Sequence, residues 1–234
     1  STSHTAYAGI IACAGSAAGW SGWQIIFDNT NNYFRVEANN AVLITGSGIT
    51  ISPYQWYHIA FVRSGSSCTL YYNGVSAGTA TSSSTFDSSS SSLYIGAERT
   101  PSAYFNGYIA DVRITKSALY KAGFSPTTSP LTSTPTITLL LNGTNGAIND
   151  ASRIGNIETV GDARITNFSP FNGNYYSVNF NGTSDLVLPS SANYQGGSVF
   201  TIEMWVWVST PSTTQLLACV PVSGAWQIQL NGGY

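Results

Sequence analysis

The chain has 234 residues, of which 43% are hydrophobic, 13% aromatic and only 8% charged, with a formal net charge of −2. So few basic groups argue against nucleic acid, whose phosphates demand basic patches, and against electrostatic attachment to a membrane. The apolar content can bury a core, which excludes a disordered chain, and no apolar run approaches the ~20 residues of a membrane span. No signal-peptide pattern opens the chain, and Ser1 onward reads as the edge of an excerpt. Three cysteines do not make a disulfide framework. A Cys13–Cys68 bridge is conceivable; the plainer reading is that these are small buried apolar residues on strands.

In chain order, Gly9 to Cys13 is a strand, Ala14 to Gly22 a small-residue turn carrying Trp20, and Trp23 to Phe27 the returning strand. Tyr33 to Glu37 alternates as a half-buried strand does, and Ala41 to Ile51 gives further strand interrupted by Gly46 and Gly48. Trp56 to Arg63, Thr69 to Val75, Leu93 to Ile95 and Phe105 to Ile114 are short blocks rich in β-branched and aromatic residues, bounded by Gly, Asn or Ser. Asn73-Gly74 predicts a tight hairpin, because a type I′ turn needs positive φ at both central residues. Ser82 to Ser92 is a long polar loop. Ser117 can cap a short helix over Ala118 to Lys121, closed by Gly123. Ser125 to Thr136, with Pro126, Pro130 and Pro135, has linker composition.

Beyond the linker the pattern restarts. Ile137 to Leu141 is an apolar strand, Asn149 to Ser152 a turn, and Tyr176 to Phe180 and Leu186 to Leu188 flank a turn at Asn181 to Asp185. From Phe200 to Val208 the chain alternates, with Ile202, Met204, Val206 and Val208 on one face and Thr201, Glu203, Trp205 and Trp207 on the other. Trp56, Ala60, Leu70, Val112 and Ile114 are expected to point into one core, with Ile202, Met204 and Val206 forming a matching layer in the other half.

Three blocks carry a resemblance: Trp56, His58, Ala60 and Arg63; then Leu70, Tyr71, Asn73 and Gly74; then Gly107, Ile109, Val112, Arg113 and Ile114. They resemble the laminin-G-like, concanavalin A-like lectin/glucanase jelly roll found in secreted and bacteriophage virion proteins. Leu140, Asn142, Gly143, Phe180, Asn181, Gly182, Asp185, Phe200, Thr201, Ile202, Glu203 and Trp205 resemble the N-terminal half of the same family. The resemblance implies an all-β fold, an antiparallel two-sheet jelly-roll sandwich. The halves stand in reversed order, and the start of the first one recurs. Leu216-Leu217-Ala218-Cys219 matches Ile10-Ile11-Ala12-Cys13 at an offset of 206, and Trp226-Gln227-Ile228 matches Trp23-Gln24-Ile25 at 203. This reads as a tandem repeat of about 205 residues sampled out of phase. Residues 1–133 would be the C-terminal part of one sandwich and 137–234 the N-terminal part of the next, joined by the linker at 125–136. The alternative is closure of the halves on each other, with one copy of the repeated stretch left over to pair with a neighbour.

Candidate chemistry is sparse. Glycoside hydrolysis needs two placed carboxylates, and Glu37, Glu98, Glu158 and Glu203 are isolated in sequence. His4 and His58 are the only histidines, with His58 read as structural and no Cys/His set spaced for zinc. The resemblance implies calcium as a possible cofactor, for which Asn149, Asp150 and Asp185 are the loop oxygens available; as turn residues they can equally serve local backbone amides. Sugars stack on aromatic rings. Trp20 and Tyr104 are loop aromatics and Trp205 and Trp207 share a strand face, the latter pair readable also as a covered face. The expected function is a non-catalytic adhesive or glycan-binding module of an extracellular or virion surface protein, with a glycan or cell-surface polysaccharide and neighbouring repeats or subunits as partners. A structural repeat of a filament, fibre or capsid decoration is the alternative, and a glycoside hydrolase a distant third.

Overall fold

The computed structural model describes residues 7–14, 22–28, 33–48, 51–52, 54–86, 92–96, 104–143, 146–152, 156–189, 191–194, 197–208, 215–219 and 227–230. For 7–14, 22–28, 208, 215–219 and 227–230 the backbone alone is described. The strands are β1 Tyr7–Ala14, β2 Gly22–Asp28, β3 Tyr33–Ala38, β4 Ala41–Thr45, β5 Trp56–Ser64, β6 Ser67–Tyr72, β7 Val75–Thr81, β8 Leu93–Ile95 and β9 Asn106–Thr115. They continue with β10 Ile137–Leu141, β11 Glu158–Val160, β12 Arg164–Thr166, β13 Ser177–Asn181, β14 Asp185–Leu188, β15 Val199–Val208, β16 Gln215–Cys219 and β17 Gln227–Leu230. The fold is the antiparallel two-sheet jelly-roll sandwich that the sequence implies. The first sheet has the order β11-β14-β8-β16-β17-β1-β2-β3-β4, and the second β12-β13-β9-β15-β5-β6-β7, with β10 beside β9.

Local chemistry sets the turns. Asn73 (φ 47°) and Gly74 (φ 78°) make the predicted hairpin between β6 and β7. A Cβ on Gly74 would lie 1.7 Å from the carbonyl oxygen of Phe124, so glycine is needed for space as well as for backbone conformation. Asn39 (φ 49°) and Asn40 (φ 63°) make a similar turn between β3 and β4, since Asn tolerates the left-handed region.

The main core lies between the sheets and holds Phe61, Leu70, Val112, Ile114, Ile202, Met204 and Val206. Two residues expected there lie elsewhere. Ala60 is buried on the opposite face of the second sheet, with Val62 and Tyr71. Trp56 is half-buried on that face, stacked on Phe168. The inward residues of β5 are Tyr57, Ile59 and Phe61. Seven consecutive residues of β5 are buried because both faces are covered, and this removes the alternation that would reveal the register. Asp111 (φ 57°) sits at an irregularity in β9 where the register with β15 shifts, which lets Ile109 and Val112 both face the core.

Three further expectations are corrected. No helix forms over 118–121; residues 117–124 run as an irregular strap across the outer face of the second sheet. Tertiary anchors override the local preference: Thr201 Oγ1 donates to the Ser117 carbonyl at 2.7 Å and accepts from Leu119 N at 3.0 Å. The proline-rich stretch 125–136 is docked. Leu131 N donates to both carboxylate oxygens of Asp111 at 3.0 Å, and the Thr136 carbonyl accepts from Lys116 N and Thr115 Oγ1. Finally, the expected division into parts of two sandwiches differs from the strand pairing. β15 lies between β5 and β9, β13 pairs with β9, and β14 pairs with β8, so both halves of the chain share both sheets. The repeated stretches lie side by side, with β17 paired to β1.

Candidate functional site

The outer face of the second sheet gathers the polar motif residues from three adjacent strands. Glu203 on β15 stands opposite Arg113 on β9, and Trp205, on the same face, opposite His58 on β5. The Glu203 carboxylate is 1% exposed. It meets His58 Nε2 at 3.1 Å, accepts from Arg113 Nε at 2.5 Å with Arg113 Nη2 also in contact, and accepts from Tyr120 OH at 2.7 Å. A buried carboxylate without partners costs several kcal/mol, and this ring of donors offsets that cost. Burial pushes its pKa up, but the His58 hydrogen bond, the Arg113 charge, the His58 charge and the Tyr120 hydrogen bond together hold it below its ordinary value. Burial, then the Glu203 charge and hydrogen bond, push the Tyr120 hydroxyl up, so it stays a donor. Asp111, also 1% exposed, is raised to about 7, by burial first and the Glu203 charge next among the raising causes, against the Leu131 N–H bond and the Arg113 charge. Each carboxylate is buried and engaged by neighbouring donors.

Beside this network the strap and β5–β6 form a cleft of about 230 Å³ lined by Val62, Ser64, Ser67, Thr69, Tyr71, Tyr120 and Lys121. Strand pairing builds its floor, with Val62 opposite Thr69 and Ser64 opposite Ser67. Tyr120 stacks flat on Phe124, ring centroids 3.5 Å apart, and Phe124 meets Tyr71 edge-on at 5.4 Å. The strap is held to the hairpin turn by Phe124 N donating to the Gly74 carbonyl at 3.0 Å. The result is an aromatic wall fixed from behind by Glu203, a hydroxyl rim, and one exposed ammonium. Pockets for drug-sized ligands span about 300–1,000 Å³, so this smaller cleft suits a small polar ligand.

The residues expected to form a site are scattered. Trp20 lies outside the described residues. Trp205 and Trp207 are half-buried beneath the segment 168–176: Phe171 meets Trp205 at 6.0 Å, and Phe168 meets Trp207 at 4.7 Å. They form a covered face together with Trp56 and Tyr108. Tyr104 is half-buried, its hydroxyl pKa raised by burial and by the Asp185 charge. Of the proposed calcium ligands, Asn149 is exposed. Asp150 is buried and accepts from Leu140 N, Ser152 N and Ser152 Oγ, which is a turn-stabilising role. Asp185 is buried, with Oδ1 lacking a hydrogen-bond partner and a pKa raised to about 6 by burial and the Glu158 charge. Among the described residues no group of three or more His, Cys, Asp or Glu could hold a metal ion. Cys68 is a free, buried thiol, pushed to about 11 by burial against the Arg63 charge.

Sequence reasoning missed the cleft. Its signal was present in Ser67, Thr69 and Tyr71, which alternate on one face of β6, but the strap that closes it was assigned to a helix. The motif residues His58, Arg113 and Glu203 were recognised, while their convergence depends on pairings across 90 and 145 residues.

Among the described residues no helix is long and apolar enough to cross a membrane, which says nothing of spanning strands. No curated protein matches the chain. Residues 1–122, half of the chain, match the laminin-G family model described as the concanavalin A-like lectin/glucanases superfamily. The motif blocks, the sandwich topology and this match agree: the chain belongs to the concanavalin A-like lectin/glucanase superfamily, in its laminin-G-like branch, and its fold is that of a lectin-like, carbohydrate-binding class of module.

Proposed function

We propose that the protein is a non-catalytic, adhesive glycan-binding module of an extracellular or virion surface protein, and that the cleft over β5–β6 is its glycan site. The cleft carries this reading. The half-buried Tyr120 ring supplies the aromatic surface at its wall, Tyr71 behind it being buried, and Ser64, Ser67, Thr69 and Lys121 offer hydrogen-bonding groups at its edge. The non-catalytic part rests on Glu203, whose carboxylate is engaged by His58, Arg113 and Tyr120 instead of facing a cleft alongside a second acid. A glycan array followed by titration calorimetry tests it. Thr69→Val combined with Lys121→Ala should weaken the best glycan at least ~10-fold, about 1.4 kcal/mol, with an unchanged melting temperature. Binding that persists at full strength in this variant moves the site elsewhere, and release of reducing sugar from the bound glycan overturns the non-catalytic assignment.

A second reading, a structural repeat of a larger assembly, has its own support in the side-by-side placement of the duplicated hairpins.

A further inference from the structure

The first sheet contains two related strand pairs side by side. β1–β2 and β16–β17 are related in sequence over two short stretches, Ile10-Ile11-Ala12-Cys13 with Leu216-Leu217-Ala218-Cys219 and Trp23-Gln24-Ile25 with Trp226-Gln227-Ile228. Each is an antiparallel pair whose first strand carries an irregularity, between Gly9 and Ile11 in one and between Leu216 and Ala218 in the other, so that under the offset of 206 the two registers differ by one residue. They stand next to each other, in the order β8-β16-β17-β1-β2-β3. β16 fills the place beside β8, pairing Ala218 with Ile95 and Cys219 with Tyr94. β1, its copy, is held off β8 by one hairpin's width and pairs with β17, through Gly9 and Gln229.

Sheet widths show which arrangement is in balance. The first sheet has nine strands, while the path through the opposing sheet has seven, with β10 set beside β9. Without the β16–β17 hairpin the first sheet would read β11-β14-β8-β1-β2-β3-β4, seven strands against the seven-strand path of the eight-stranded second sheet. The sandwich therefore has one place for a hairpin of this sequence beside β8, and the chain supplies two candidates for it. β8 is paired on both sides, by β14 and by β16, and a strand edge vacated by β16 would offer its amides and carbonyls to any strand of like sequence that reaches it.

We infer that the β8 edge is a self-association site, at which the protein binds a second copy of its own sequence by hairpin exchange. The β16–β17 hairpin of one copy enters beside β8 of the next, while β1–β2 stays with its own β3–β4. Donor hairpin and acceptor edge are different surfaces, so the contact is heterologous and propagates from copy to copy instead of closing as a symmetric pair. The partner is this sequence itself, either on another chain or as an adjoining unit of the same polypeptide. This inference is independent of the glycan reading, because the cleft lies on the other sheet.

The native cysteines supply the test. Residues directly opposite on antiparallel strands have Cα atoms about 4.5–5.5 Å apart, within disulfide range. Cys219 faces Tyr94 in the present pairing, and Cys13 would face it if β1 took the same place. One chain carries Tyr94→Cys with Cys13→Ser and Cys219→Ser. It is unfolded together with the unaltered chain, refolded across a range of concentrations, oxidised, and mapped by mass spectrometry. Any bond from position 94 to Cys219 or Cys13 is then between copies. The expected result is such a cross-linked dimer, growing with protein concentration. A second arm with a tandem fusion of two copies should give the same bond between its units at low concentration. Only uncross-linked monomer, or dimers joined solely through position 94 to itself or to Cys68, overturns the inference. As a check that needs no substitution, the unaltered chain should show a sedimentation coefficient rising with concentration; a single monomeric boundary at all concentrations contradicts exchange between chains.

Discussion

At the scale of single residues, the laminin-G motif positions serve the fold before they serve a ligand. His58, Arg113 and Glu203 form one buried cluster. Arg63 is 3% exposed, donates to the Gly65 and Ser82 carbonyls, and lies over the ring of Phe86. Asp111 pins the proline-rich segment through Leu131 N. It also has a consequence for pH. Its pKa, ordinarily 3.8, is about 7 in the folded protein. The native state therefore binds this proton more tightly than the unfolded chain does. The stabilisation is complete below about pH 4 and is lost as the pH rises through 7, by at most ~4 kcal/mol. Asp185, at about 6, adds a smaller loss in the same sense. Asp111→Asn keeps a carbonyl acceptor for Leu131 N and tolerates the positive φ. Stability of the unaltered protein, read from melting curves, should fall between about pH 4 and 7, and that of Asp111→Asn should fall less. Parallel curves for the two proteins would show that Asp111 does not titrate as described.

At the scale of elements, legibility followed the number of faces a strand buries. β15 was read correctly because one face is core and the other carries Thr201, Glu203 and two tryptophans. β5 was misread by one residue because Trp56, His58, Ala60 and Val62 are covered by the segments 117–124 and 168–176 and so look like core. The β6–β7 turn was legible from two residues, since Asn73-Gly74 has few conformational alternatives. The strap was not, because its conformation comes from the Thr201 hydroxyl and the Tyr71 and Gly74 contacts, all distant in sequence. Gly74 links the two. Gly74→Ala places a Cβ against the Phe124 carbonyl and adds a left-handed penalty of about 1–2 kcal/mol. The strap should lift, and trypsin should cut after the exposed Lys121 several-fold faster than in the unaltered protein. An unchanged cleavage rate would mean that the strap is held independently of the turn.

At the scale of the whole molecule, the family and sheet architecture were legible from the motif order, while the manner of closure was not. A reversed order of halves fits either separate sandwiches or halves that close on each other, and local sequence cannot choose between strand partners 140 residues apart. The choice is made by β15, which enters between β5 and β9 and buries Ile202, Met204 and Val206 against Phe61, Val112 and Ile114 in a single core. The Glu203 cluster and the strap that closes the cleft both depend on that insertion. One pairing tests it directly. Val199 stands opposite Ser64, both are exposed, and Gly65 N donates to the Ser198 carbonyl at 2.9 Å. A Ser64→Cys, Val199→Cys variant should form a disulfide within one chain on mild oxidation, at high yield and at the lowest concentrations, with both thiols located in one cross-linked peptide pair. Free thiols at both positions, or a bond found only between chains, would contradict closure of the two halves into one sandwich.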